Sequence, residues 1–391
     1  MPIINRIANF HDEMSAWRRD LHAHPETAFE EFRTSDFVAG KLAELGFEVH
    51  RGLAGTGVVG TLNGAKPDNG RSIGLRADMD ALNMDEMNTF SHRSQYKSKM
   101  HACGHDGHIT MLLGAARYLA ETRNFAGTIH LIFQPAEEGA GGGRRMVEEG
   151  LFEKFPVEAV YGMHNMPGIP VGSFGTRTGA ILTAMDLFDI RVKGVGTHAA
   201  TPELGVDPIV VASHIVLGLQ TIVSRELNPL AGVVITITDI RAGTGALNTV
   251  PDHATLRGTA RILSPAVRDT IEERVRRIVE GIAQAHRARI DIDYRQNYPP
   301  LITDPMHTKF AIGIAEEVAG TGKVDADYPP NMASEDFSFM LEKKPGAYLF
   351  IGNGPEEGGC ILHNPLYDFN DEILPIGASY WARLVETKLA Q

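Results

Sequence analysis

Residues 129–143 read IHLIFQPAEEGAGGG, an apolar run of strand length followed by two adjacent carboxylates, Glu137 and Glu138, and a glycine turn. The carboxyl ends of parallel strands are where functional side chains are delivered, so one carboxylate is placed to hold a metal ion and the other to move a proton. Runs of the same character lie at GVVGTL (57–62), SIGLRAD (72–78) and EAVYGMH (158–164), and helical segments such as MLLGAARYLAET (111–122) separate them. The alternation predicts an α/β fold, a mostly parallel sheet covered by helices.

The pattern changes around 182–186 and again around 298–301. Between these points the order is strand DLFDIRVKG, helix DPIVVASHIVLGLQTIVSRE, strand GVVITITDIRAG, strand ATLRGTARIL, helix AVRDTIEERVRRIVEGIAQAHRA and strand RIDIDYRQ. A βαββαβ unit covers one face of its own sheet with its two helices and stands alone as a ferredoxin-like domain. The expected organisation is a discontinuous larger domain, 1–184 and 299–391, with a second domain inserted at 185–298. Small residues and prolines at the two crossings suit hinges.

With 37 Lys and Arg against 49 Asp and Glu the formal charge is −12, and no basic run interrupts it. Nucleic acid and anionic membrane are therefore not expected partners, and a small molecule is. Neither a signal peptide nor any stretch of membrane-spanning length is read in the chain. Two cysteines, Cys103 and Cys360, are too few for a disulfide framework, which points to a reducing, cytoplasmic location.

HACGHDGH, residues 101–108, reads as half of a metal site, with one residue between Cys103 and His105 and with His101 and His108 flanking them. Cys103 alone would be a small buried hydrophobe, and Cys103 with His105 also admits a thiol nucleophile and its base. Cys360 and His363 admit a structural zinc site, which would need no general base. The glycines at 139 and 141–143 lack the Lys-Ser/Thr ending of a phosphate loop. His22 and His24 are expected to cap or pack an N-terminal helix, and His101 and His108 to serve hydrogen bonding around the site. Glu335 and Asp336 either add a carboxylate to the site or open a helix capped by Ser334.

Further segments widen the pattern: RRDLHAHPETAFEE from Arg18, LRADMDAL from Leu75, QPAEEGAGG from Gln134, GMHNMPGIPVG from Gly162, GVGTHAATPELGVDP from Gly194, LNTVPDHATLRGTAR from Leu247, SEDFSFM from Ser334 and LHNPLYDFND from Leu362. Taken with HACGHDGH and in this order, they resemble the M20 family of metallopeptidases and amidohydrolases. The likeness is to the branch of hippurate hydrolases, bacterial N-acyl-amino-acid amidohydrolases and plant auxin-conjugate hydrolases, and it spans nearly the whole chain.

The resemblance implies a centre of two divalent transition-metal ions (zinc, manganese, nickel or cobalt) held by Cys103, His105, Glu138, His164 and His363. Imidazole and thiolate suit such ions, and five protein ligands leave positions open for water and substrate. Glu137 is then the general base and later the proton donor. His198 and Asn248 match the oxyanion donors of the inserted domain, which serves as a lid, in the same chain or for a neighbouring subunit. Arg261, ending the GTAR segment, is a candidate for holding a substrate carboxylate.

The implied reaction is hydrolysis of the amide bond of N-acyl L-amino acids (N-acetyl, N-benzoyl or indoleacetyl), catalysed by a homo-oligomer, dimer or tetramer. A dipeptidase or carboxypeptidase on the same scaffold and a non-catalytic metal or peptide binder are the alternatives; retention of Glu137 argues against the last. Where the wider family has a metal-binding histidine two residues before Asp78, this chain has Arg76, a change its branch shares. Asp78 then becomes the carboxylate that orients a ligand, with Asp80 as its rival. Asn83 and Glu203 stand where the branch commonly has proline and histidine, two changes at the substrate mouth.

Overall fold

The structure, a computed structural model, describes residues 3–67, 69–320, 322–355 and 361–390. The chain divides into two units, Met1–Gly179 with Ile302–Pro329 and Asp336–Gln391, and Ala180–Leu301 with Pro330–Glu335.

Four parallel strands form the middle of an eight-stranded sheet in the first unit, in the order Thr128–Gln134, Ser72–Asp78, Ala159–Pro167 and Gly346–Gly354. Gly57–Asn63 and Glu48–Leu53 extend it antiparallel on one side. On the other, Phe174–Gly175 pairs antiparallel with Gly346–Gly354, and Val324–Asp325 closes the sheet. The α/β architecture and mostly parallel sheet expected from the sequence are those found. The middle strands are buried almost end to end, which is why they read as continuous apolar runs rather than as alternation.

Helix His105–Thr122 lays Ile109, Leu112, Leu113, Ala116 and Leu119 into the core and packs against helices Leu374–Lys388 and His11–Ala23. It starts from Gly104, at φ +92°, where a Cβ would come within 2.3 Å of Asn165 Oδ1 and 2.7 Å of the Tyr367 hydroxyl. Only glycine accepts both that backbone and that approach.

The second unit holds four antiparallel strands in the order Val233–Ala242, His253–Ile262, Ala184–Lys193 and Arg289–Tyr298, with helices Pro208–Thr221 and Pro265–Ala285. The first and third strands in sequence are neighbours in the middle, which is the ferredoxin-like arrangement. Pro330–Glu335 is counted with this unit because Asn331 N–H donates to Ile181 O and Thr183 N–H to Ala333 O, both at 2.9 Å. One expectation is corrected here: Pro208–Glu226 is long and apolar enough to cross a membrane by length and composition. Val211, Ala212, Ile215, Leu219 and Ile222 of that stretch lie in the unit's core, while Ile209, Val210 and Leu217 are exposed.

Asp186 is the buried polar anchor of this unit. Its Oδ1 accepts from Arg268 Nε at 2.9 Å and Nη2 at 2.7 Å, and its Oδ2 accepts from the Tyr294 hydroxyl at 2.8 Å. Asp186→Ala leaves a buried guanidinium and a phenol unpaired, so it should cost about 3–5 kcal/mol, read as a lower urea midpoint by circular dichroism. A midpoint equal to that of the wild type would show that the network contributes nothing.

Candidate metal centre

Sheet topology delivers the donors to one edge. Asp78 ends its strand, Gln134 ends the neighbouring one, and the turn that follows carries Glu137 and Glu138. His164 lies near the end of the third parallel strand, and His105 opens the helix after Gly104.

All five expected ligands come together. Cys103 Sγ lies 3.3 Å from His164 Nε2, and Glu138 Oε1 lies 3.3 Å from His363 Nε2 and 4.0 Å from His105 Nε2. Cys103, His105 and His164 form one cluster, Cys103, Glu138 and His363 another, with the donor atoms of each within 4.8 Å of one another. Both clusters contain the thiol, so the two sets of donors lie side by side.

The donors are held ready for cations. Both ring nitrogens of His105 and Oε1 of Glu138 are sealed from solvent without a hydrogen bond. Their partners are ion pairs only, Asp80 Oδ1 at 3.4 Å from His105 Nδ1 and His363 Nε2 at 3.3 Å from Glu138 Oε1, and a buried lone pair left so is costly unless a cation takes it. His164 Nδ1–H donates to Asn165 O at 2.6 Å, which leaves the Nε2 lone pair facing the thiol. Cys103 is buried, and burial, with Glu138 and Glu137 beside it, pushes its thiol well above the ordinary value. Burial opposes charge on His105, yet Asp78, Asp80 and Glu138 push it up to about 10. Burial and the nearby His108 hold His164 well below its ordinary value. Negative charge on Asp78, Asp80, Glu137 and Glu138 thus favours protons on Cys103 and His105, a preference that a divalent ion would invert. The donor set therefore fits a metal pair. A thiol nucleophile needs a base in hydrogen-bond contact, and His105 makes no hydrogen bond to Cys103.

Around the donors runs a continuous set of buried partners. Arg76, at the position of the family's histidine, donates to Asp78 Oδ2 at 2.8 Å, Gln134 Oε1 at 2.9 Å and Asp336 Oδ1 at 3.2 Å. Burial would raise the Asp78 carboxyl, but His105, Arg76 and His108 hold it well below its ordinary value. Ionised, Asp78 accepts His108 Nδ1–H at 2.6 Å and stands 3.7 Å from His105 Nε2. His108 Nε2 in turn meets Asn165, whose amide donates to the Tyr367 hydroxyl. Asp80, the rival, does something else: its two oxygens accept the backbone N–H groups of Glu137 and Glu138, both at 3.0 Å. The turn between Gln134 and Glu137 passes through Ala136 at φ +56°, a left-handed conformation that costs about 1–2 kcal/mol without glycine.

Several histidines and acids fall differently from expectation. His22 does not cap its helix; it is buried, its Nδ1 meeting Asp106 at 2.9 Å and its Nε2 meeting Glu86 at 3.2 Å. His24, by contrast, caps the N-terminal helix as expected, its Nδ1–H donating to Asp20 O at 2.7 Å. His101 is buried with neither nitrogen hydrogen-bonded. Ser334 caps no helix, since the next begins at Ser338. Asp336 braces Arg76, Gln134 and the Gly143 N–H. Cys360, and with it the structural-zinc alternative, lies outside the described residues.

In the second unit, strand Thr197–His198 pairs with Thr249–Val250, so that His198 and Asn248 border one cleft of about 520 Å³. His198 Nδ1 accepts the Ala200 N–H at 3.0 Å, which puts the ring proton on Nε2 and makes it a donor. Arg261 Nη1 donates to Ser334 Oγ at 2.8 Å; burial lowers its pKa, and no carboxylate among the described residues pairs with it. Asn165, Gln134, Tyr367 and Glu31 escaped the sequence reading. Asn165 lies next to His164, and Gln134 and Glu31 lie inside motifs, but nothing in the sequence assigns any of them a partner.

Comparison with known proteins agrees with this geometry. The hippurate hydrolase of Campylobacter jejuni is 42% identical over 384 residues, 98% of this chain and 98% of that protein. IAA-amino acid hydrolase ILR1-like 2 of Arabidopsis thaliana is 38% identical over 380 residues, 95% of this chain and 84% of that protein. A dinuclear metal-binding peptidase of the M20 family from Bacillus subtilis has a solved structure that matches with a TM-score of 0.83 at 34% identity, over 98% of this chain and 99% of that one. Residues 74–387 match the model of peptidase family M20/M25/M40, and with the donor clusters in place the chain belongs to that family.

Proposed function

We propose that the chain hydrolyses the amide bond of N-acyl L-amino acids, releasing a carboxylic acid and a free amino acid. The observation that carries this reading is the cluster of His105 and Glu138, whose ring nitrogens and Oε1 oxygen are sealed from water without hydrogen bonds, with Glu137 beside it. Cys103, His105, Glu138, His164 and His363 hold two divalent ions, which thiolate and imidazole donors restrict to zinc, manganese, nickel or cobalt. Ions held there supply an acidified water and polarise the scissile carbonyl.

Glu137 takes the proton of the attacking water and returns it to the leaving nitrogen as the C–N bond breaks. Asp78 orients His108 and the His105 edge of the donor set, kept ionised by Arg76. His198, through its Nε2–H, and Asn248 donate to the oxyanion, each such donor being worth typically about 2.7–4 kcal/mol of barrier. Arg261, a guanidinium with a hydroxyl partner and no carboxylate, holds the carboxylate of the amino-acid half.

The second unit also supplies the pairing surface of a homo-oligomer. Support comes from Ile209, Val210 and Leu217, exposed on one helix, and from the edge strand Val233–Ala242 with exposed Val234 and Ile240. The low cysteine count supports a reducing, cytoplasmic setting.

The test is hydrolysis of N-acetyl, N-benzoyl and indoleacetyl amino acids and of dipeptides, before and after chelation and with single ions restored. Chelation should abolish turnover and one ion should restore it; turnover indifferent to chelation would return the chemistry to Cys103. Glu137→Ala should stop turnover with metal content unchanged, and a rate above about a tenth of wild type would remove Glu137 from proton transfer, whose usual worth is on the order of 10²–10⁴. His198→Ala should lower kcat by about 100- to 1,000-fold with metal retained; loss of metal would instead make His198 a ligand.

A further inference from the structure

We infer that Glu31 is a positioning residue for the general base: acting through the backbone of Ala136, it fixes the direction in which Glu137 leaves the turn. The inference rests on the reading of Glu137 as the base. Glu31 lies 105 residues from Ala136 in sequence and is fully buried. Its Oε1 accepts the Ala136 N–H at 2.9 Å and the Phe29 N–H at 3.0 Å, and its Oε2 accepts the Thr56 hydroxyl at 2.6 Å.

Two of the residues involved, Ala136 at φ +56° and Phe29 at φ +63°, occupy the left-handed region without being glycine. Such a conformation persists only where its surroundings over-determine it. At Ala136 those surroundings are specific. Three successive backbone N–H groups, of Ala136, Glu137 and Glu138, end on two buried carboxylates, the first on Glu31 and the next two on Asp80. The Gly142 N–H closes the loop onto Ala136 O at 3.0 Å. Asp80 has both oxygens engaged and Gly142 holds only the carbonyl side. Without Glu31 the Ala136 N–H loses its acceptor and the residue falls back to negative φ, which turns the following peptide and swings the Glu137 carboxylate.

The glutamine isostere should preserve the device. In Glu31→Gln the amide oxygen still accepts from Ala136 and Phe29, while the amide nitrogen donates to Thr56, whose hydroxyl can reverse its role. The experiment compares kcat, KM, bound metal by mass spectrometry and melting temperature for Glu31→Ala, Glu31→Gln, Glu31→Ala/Ala136→Gly and Glu137→Ala in the metal-loaded enzyme. Glu31→Ala should lower kcat about 10- to 100-fold, the scale of an ångström's misplacement, with KM and metal content unchanged. Glu31→Gln should restore most of the rate. The double variant should recover part of it, because glycine holds positive φ without help.

A wild-type kcat in Glu31→Ala, or a folded, metal-loaded double variant as slow as the single one, overturns the inference. Should Glu31→Ala not fold, Glu31→Asp keeps the charge while withdrawing the oxygen from Ala136, and the same rescue by Ala136→Gly decides. Turnover by Glu137→Ala would refute the base itself, whereas an inactive Glu137→Ala beside a fully active Glu31→Ala refutes only the role of Glu31.

Discussion

Negative charge buried out of reach of water has to be balanced, and in the larger unit that requirement governs where polar groups lie. Asp78 and Asp80 flank His105, and Glu137 and Glu138 follow within the same pocket. Arg76 balances one of these charges by bonding Asp78. The others spend their lone pairs on backbone N–H groups or keep them for cations, which is why Asp80 grips the turn and Glu138 keeps an unbonded oxygen. The strands, the helix start at Gly104 and the left-handed Ala136 are the means by which a folded chain holds that concentration of charge in place.

Much of the fold could be read because its elements follow single-period patterns. SIGLRAD marks its strand to the residue, and the six elements of the second unit appear in the expected order. Gly346–Gly354 was harder, since GAYLFIGNG carries three glycines and no alternation, and its strand character comes from burial on both faces beside Ala159–Pro167. The apolar helix from Pro208 runs on to Glu226 as the sequence predicts, its last five residues as a π-helix, and together the two reach membrane-spanning length and hydropathy.

In the candidate site, the donors were legible and their supports were not. Cys103 and His105 announce themselves by spacing, and Glu137 and Glu138 by their place after a buried strand. Glu31, His22 and Gln134 act on residues tens of positions away, and nothing local distinguishes them from ordinary surface or capping side chains. Ser334 shows the reverse error: a plausible cap in one dimension serves Arg261 in three.

The order of strands at one side of the large sheet bears on where the protein can be cut. Glu48–Leu53 and Gly57–Asn63 precede every candidate ligand, yet they cover the flank of Thr128–Gln134. A chain trimmed to begin at Ser72 would keep every candidate ligand and uncover a strand that is buried at nearly every position. Its unpaired N–H and C=O groups would then offer a template to any other strand. The first seventy residues thus act as a shield against self-association as much as a part of the enzyme.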